Sequence, residues 1–421
     1  MSEYSGLLPS TNSGQWTARP FHRQWLMRQA NNLFDFFEKS SINPRGGFFE
    51  LDDAGQPLSA DNSTRQVHTT TRMVHSFAVG SLLGRPGSDE FVDHGMRYIW
   101  ENHRDAKHGG YVWSLDNGGV VDGIKQAYGH AFVLLAASSA KLAGHPLADK
   151  MLADVTEIIN TRFWDDKRGV VNEQFNQDWS EIDNYRGQNS NMHMTEALMA
   201  AFEATGDKAY LEKAERIAAF IIGKHAASLN YRVAEHFDAD WNLDNFYLGN
   251  EMFRPAGSTP GHALEWSRLL LQLWILGSKR LDWLTDASRK LFRQAIDLGW
   301  DKQHGGFFYT LEWDNTPRMT EKLWWPVSEA IGAAAFLCAY DREQYFQVWY
   351  RKLWDFAANH VIDNERGGWR SELSIDLKPT SRLFNGKPDI YHALQACLIP
   401  LYPAIGSLTH SIIVTDKTKP F

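Results

Sequence analysis

His304-Gly305-Gly306-Phe307-Phe308-Tyr309 is a short glycine-led aromatic stretch with the composition of a β-hairpin arm, and it recurs along the chain. Arg45-Gly46-Gly47-Phe48-Phe49-Glu50-Leu51, His108-Gly109-Gly110-Tyr111-Val112-Trp113 and Arg366-Gly367-Gly368-Trp369-Arg370 repeat it closely. Arg168-Gly169-Val170-Val171-Asn172-Glu173 and Tyr231-Arg232-Val233-Ala234-Glu235-His236 keep its β-rich character. With Gly46, Gly109, Gly169, Arg232, Gly305 and Gly367 as markers, six units follow one another at intervals of 63, 60, 63, 73 and 62 residues. Several of these stretches run into turn sequences, at Asp52-Asp53-Ala54-Gly55, Asp116-Asn117-Gly118-Gly119 and Asp314-Asn315, and helical patterns of roughly 15 to 20 residues lie on either side.

Each unit therefore reads as helix, short hairpin, helix. A helix pair cannot bury its apolar face alone, so units at this period must stack, and six of them can close into a ring. The expectation is an all-α fold, an (α/α)6 barrel with short β-hairpins at one end. It forms one catalytic domain over residues 21–403, between a polar N-terminal segment (1–20) and a C-terminal tail (404–421). An open superhelix of helix pairs is the rival architecture; its repeats are usually shorter and lack the hairpins.

Composition narrows the function. A net charge of −8 over 421 residues, with Lys and Arg scattered, argues against nucleic-acid or membrane-surface partners. The N-terminus has no basic stretch followed by an apolar one, and no apolar run reaches membrane-spanning length. Cys338 and Cys397 both sit in apolar helical patterns, as buried free thiols of a reducing compartment would. The chain is expected to be cytoplasmic. Its 17 Trp, 24 Phe and 14 Tyr serve the core first, with some available as platforms for sugar rings.

The helices after the hairpins are rich in small residues and nearly apolar past their first turn, as in Ala131 to Leu142 and Ala330 to Cys338, which marks them as the inner ring. Their first turns are polar. They carry His68 and Arg72; Lys125, Gln126, Tyr128 and His130; Asn189, His193 and Glu196; His262 and Glu265; Trp325 and Glu329; Asp389 and His392. Such residues at equivalent helix ends must converge on one mouth, the default position for an active site. In Gly257-Ser258-Thr259-Pro260-Gly261-His262-Ala263-Leu264-Glu265-Trp266 a Thr-Pro-Gly turn starts a helix that puts His262 and Glu265 on one face.

His193-Glu196 repeats that spacing, and Asp389 stands three residues before His392, so each carboxylate is expected to orient an imidazole for acid–base work. A metal site is the competing reading, in reverse order to the Glu-x-x-His pairs of di-metal bundles; the expectation adopted is no metal. Arg72 is expected to stabilise a developing oxyanion, Trp325 and Tyr128 to be sugar platforms or plain wall, and Arg254 to face the ligand from a preceding loop.

Ser258 to Trp266, Asn189 to Ala197, Trp324 to Ala330 and Gly386 to Leu394 together resemble the N-acylglucosamine 2-epimerase superfamily, over roughly residues 20–403. Within it the chain is most similar to the aldose–ketose isomerase branch. The resemblance implies an (α/α)6 barrel without a cofactor and reversible chemistry at C1 and C2 of an open-chain monosaccharide. It casts His262 and His392 as the catalytic pair, with Arg72, Asn189, His193, Glu265, Trp325 and Glu329 in contacting or supporting roles. Ser371 and Pro388 stand where the sulfosugar-specialised members carry Gln, which points to an unsubstituted hexose. The reading is D-mannose to D-fructose, with D-lyxose to D-xylulose beside it, through a cis-enediol. The alternatives are a 2-epimerase, a non-catalytic carbohydrate binder, and an inverting glycoside hydrolase drawing on Glu265, Glu329, Asp183 and Asp389.

Overall fold

The computed structural model describes residues 15–59, 64–341 and 343–418. Thirteen α-helices account for nearly half of them: α1 (Pro20–Glu38), α2 (Val67–Leu82), α3 (Ser88–Tyr98), α4 (Ala127–Leu142), α5 (Ala148–Ile158), α6 (Gln188–Thr205), α7 (Lys208–Ala218), α8 (Pro260–Leu276), α9 (Trp283–Gly299), α10 (Trp324–Tyr340), α11 (Gln344–Phe356), α12 (Tyr391–Leu398) and α13 (Leu408–Thr418). The even-numbered helices form the inner ring. α2 packs on α4, α4 on α6, α6 on α8, α8 on α10, α10 on α12, and α12 returns to α2. Outside them α3, α5, α7, α9 and α11 each cover the inner helix that precedes them, while α1, from the other end of the chain, covers α12.

The sequence dictates this sorting. Inner helices are buried on nearly every side, as in α10, where every residue from Trp324 to Cys338 is buried. Outer helices such as α7 are buried on one stripe only, at Tyr210, Leu211, Ala214, Ile217 and Ala218. Four of the outer helices (α3, α5, α7 and α11) widen into a π-helical turn before the chain enters its hairpin.

The hairpins form a second ring above the helices. The residues leading into each inner helix pair antiparallel with the next unit's hairpin: Arg65 with Leu115, Lys125 with Phe175, Arg186 with Phe237, Ser258 with Leu311, and Lys322 with Leu373. Lys387 pairs with Leu51 of the first unit, so this ring closes too. Three of the entry residues are buried lysines bound to aspartates at 2.9–3.0 Å: Lys125 to Asp105, Lys322 to Asp301 and Lys387 to Asp363. The paired glycines of the repeat take positive φ, for example Gly305 (+85°) and Gly306 (+75°); in the fourth unit Asn230 (+53°) and Tyr231 (+62°) adopt that geometry without glycine.

Residues 404–421, read from sequence as a tail, instead carry α13 over Leu408–Thr418. Leu408, Thr409, Ser411 and Ile412 are buried, and the helix packs on α2. The polar N-terminal segment lies outside the described residues up to residue 14; Trp16–Ala18 form a 3₁₀ turn ahead of α1.

Candidate active site

The first turns of the inner helices enclose a cavity of about 300 Å³. Arg72, Tyr128, Asn189, His193, His262, Glu265, Trp325, Asp389 and His392 all line it, together with His68. The expected convergence is therefore present. Glu196 and Glu329 lie one layer beneath. Lys125 and His130 do not reach the cavity: Lys125 is buried on Asp105, and His130 is tied to the backbone at Gln126 O (2.7 Å) and Tyr111 N (3.0 Å).

The two histidines expected to do the chemistry are not oriented by the carboxylates on their own helices. His262 Nδ1 lies 2.9 Å from both oxygens of Glu235, in the hairpin of the fourth unit, and not on Glu265. His392 Nδ1 lies 2.9 Å from Glu329 of the neighbouring helix α10, and not on Asp389. Glu265, three residues on from His262, sits one turn deeper in the barrel, and Asp389, which precedes α12, is taken by Arg72. Partners at the right height come from the next element round the ring. Each Nδ1–H can donate to its carboxylate, which leaves Nε2 of both rings facing the cavity as an acceptor. Trp325 stands between them, its ring 5.0 Å from that of His262 and 6.0 Å from that of His392.

Glu235 is itself held. Gln188 Nε2 donates to it at 2.7 Å, while Gln188 Oε1 accepts from Trp266 Nε1 at 2.7 Å. Burial works against ionisation of Glu235, but the facing His262 keeps its carboxyl below the usual range.

At the floor of the cavity, Glu196 of α6, Glu265 of α8 and Glu329 of α10 project toward one fully buried guanidinium, Arg268. It meets Glu329 at 2.9 Å, Glu196 at 3.2 Å and Glu265 at 3.8 Å. Burial opposes ionisation at Glu196 and Glu329, yet Arg268 holds both below the ordinary carboxylate range. Glu265, farthest from Arg268, is pushed well up by burial and by Glu329. His193 Nδ1 lies 3.6 Å from Glu265 and 3.9 Å from Glu196, and burial lowers its pKa to about 4. A nitrogen and two carboxylate oxygens from His193, Glu196 and Glu265 fall within 4.8 Å of one another, a spacing a cation could use. Arg268 already supplies a cation to Glu196.

Arg72 donates to Asp389 at 2.9 Å and to Tyr128 Oη at 3.0 Å, and lies 4.5 Å over the Phe132 ring. Asp389 is thus the partner of Arg72, in a buried ion pair at the cavity wall. Arg254 is not in this cavity. It bonds Glu173 (3.2 Å) and Gln174 (2.7 Å) over the Tyr185 ring, in a neighbouring recess of about 250 Å³ that meets the first at Tyr128, Asn189 and Phe253. Of the four carboxylates named for a hydrolase, three are engaged elsewhere, Asp389 by Arg72, Glu329 by Arg268 and His392, and Asp183 by Gln174 on the exposed rim, while Glu265 lines the cavity.

Sequence reasoning missed Glu235, Glu50 and Tyr309. All three stand at one position of the repeat. Two residues beyond the bridging Phe48, Tyr111, Val171, Phe307 and Trp369 come Glu50, Trp113, Glu173, Tyr309 and Ser371, and in the fourth unit Glu235. This position faces the mouth: Glu50 and Tyr309 line the cavity, Trp113 stacks on His68 at 4.9 Å, and Glu235 holds His262. Aligning the six hairpins, rather than the six helix starts, would have exposed it. Pro388 lines the cavity as well, whereas Ser371 does not.

Comparison with known proteins places the chain in a family. The profile of the family described as N-acylglucosamine 2-epimerase (GlcNAc 2-epimerase) matches residues 46–396. A D-mannose isomerase of Pseudomonas cannabina pv. alisalensis is 42% identical over 95% of this chain and 98% of its own length. One from Thermobifida fusca is 41% identical over 94% and 98%. A crystal structure of a D-mannose isomerase superposes with a TM-score of 0.85 at 33% identity, covering 91% of this chain and 99% of that one.

Proposed function

The chain belongs to the N-acylglucosamine 2-epimerase family, and on that premise we propose that it interconverts D-mannose and D-fructose, with D-lyxose and D-xylulose as a second pair, through a cis-enediol and without a metal. The observation that carries the reading is the pair of histidines in one cavity, each with Nδ1 on a buried glutamate and each against Trp325.

Ring opening comes first, because only the open-chain aldehyde makes the C2 hydrogen acidic. His262 moves protons at the sugar oxygens during opening. His392 takes the C2 proton on Nε2 and returns it to C1 while the O2 proton passes to O1, which converts aldose to ketose with no net change in protons. Glu235 and Glu329 stabilise each imidazolium as it forms. Arg72, at the wall beside Asp389, stabilises the enediolate oxygen. The polar floor and the cavity volume suit one monosaccharide, and Pro388 offers no amide for a charged C6 substituent. Two buried free thiols, and no helix among the described residues long and apolar enough to cross a membrane, support a cytoplasmic enzyme.

Turnover of D-mannose by His262→Asn and His392→Asn tests the assignment. Each is expected to fall by about 10²- to 10⁴-fold with little change in melting temperature. Near-normal turnover in a folded variant would remove that histidine from the mechanism.

A further inference from the structure

We propose that Glu265 is held as the neutral carboxylic acid and donates its hydrogen bond to Nδ1 of His193, fixing His193 as a donor, through Nε2–H, toward the sugar. The inference rests on the reading of the cavity as a sugar site and adds a positioning residue to it.

Three carboxylates face a single guanidinium in a dry interior, and one arginine cannot balance three negative charges there. The hydrogen bonds show which one gives up its charge. Glu329 accepts from Arg268 and from His392, each at 2.9 Å. Glu196 accepts from Arg268 at 3.2 Å and from the Tyr391 hydroxyl. Glu265 is 1% exposed and Arg268 stands 3.8 Å off, so no donor reaches Oε1. Arg268 Nη2, at 3.8 Å, is likewise buried without a hydrogen bond, and the nearer orphan is His193 Nδ1, which faces Glu265 Oε1 at 3.6 Å.

A proton between them satisfies both. Were it on the ring, it would leave a third carboxylate ionised beside Glu196 and Glu329. On the carboxyl it leaves Glu265 neutral and Nδ1 a plain acceptor. The remaining charges nearby, Arg72 and Asp389, already cancel each other. The upward displacement of Glu265 by burial and by Glu329, and the fall of His193 to about 4, agree with a neutral acid beside a neutral ring. His193 is further clamped between Tyr128, edge-on at 5.1 Å, and Phe132 at 4.7 Å, so the ring cannot turn to exchange its nitrogens without displacing them. Its bare nitrogen faces the floor and its N–H faces the cavity. There it donates to a sugar oxygen on which charge develops, a task His262 and His392 can perform only after taking up a proton.

The test is ¹⁵N NMR of histidine-labelled protein combined with turnover of Glu265→Gln and Glu265→Leu. The Gln side chain is close in shape and its N–H can donate to Nδ1; the Leu side chain cannot. The expected result is a bare Nδ1 and a protonated Nε2 on His193 between roughly pH 6 and 8, the same tautomer in E265Q, and turnover within about tenfold of the parent, with an unshifted pH profile. E265L is expected to lose about 10²-fold or more. A protonated Nδ1 in the parent enzyme, or E265Q as inactive as E265L, would overturn the proposal. Failure of the parent protein to isomerise any sugar would instead remove the functional reading, and the NMR tautomer would still decide this one.

Discussion

At the scale of single residues, the most informative mismatch is between the histidines and their expected partners. His262 and His392 were legible in the sequence because their position, the first turn of an inner helix, is set by local pattern alone. Their orienting carboxylates were not, because Glu235 is 27 residues from His262 and Glu329 is 63 from His392, and nothing in an i, i+3 spacing reports what the next element brings to the same height. The correction yields a prediction that separates the two readings. Glu235→Gln keeps the shape but removes the charge that stabilises the imidazolium, so kcat on D-mannose should fall by about 10- to 100-fold with little change in KM. If Glu265 were the orienter, E235Q would be nearly silent.

Among the elements, the inner helices were read well and the C-terminal helix was not. An all-round apolar helix announces itself by composition. α13 does not, because its docking depends on contacts made far back in the chain. Glu203, at the far end of α6 and 1% exposed, accepts Ser407 N–H at 3.0 and 3.2 Å just before α13 begins, with His410 Nδ1 at 4.0 Å. Gly406 is tight against it; a Cβ there would meet the Glu203 carboxylate. Burial raises Glu203 from 4.5 to about 7. The folded state therefore holds this proton more tightly than the unfolded chain. The stability it contributes is fully present below about pH 4.5 and is lost as pH rises through about 7, at most about 3 kcal/mol in all. In Glu203→Gln the side chain stays neutral at every pH. The melting temperature of the parent, measured relative to that of E203Q, should accordingly decline between about pH 5 and pH 8. Parallel curves would mean that Glu203 titrates alike in both states.

For the molecule as a whole, the period near 60 residues was enough to foresee a closed ring of six units, since no smaller assembly buries the inner helices. How the ring shuts was beyond sequence reasoning. α1 covers α12, and Lys387 pairs with Leu51 across a seam so close that a Cβ on Gly386 would lie 2.2 Å from the Leu51 carbonyl oxygen. Gly257 does the same at another joint, 2.3 Å from Leu311 O. Closure is what brings Arg72, from the first unit, against Asp389, from the last, in the wall of the cavity, so the site is a property of the complete ring. Its chemistry is tested most directly by treating the purified protein with EDTA, adding D-mannose, and separating mannose, fructose and glucose by chromatography. D-fructose as the main product is the predicted result. D-glucose would make the protein a 2-epimerase working with the same histidines, and a lack of product that added divalent metal restores would contradict the account.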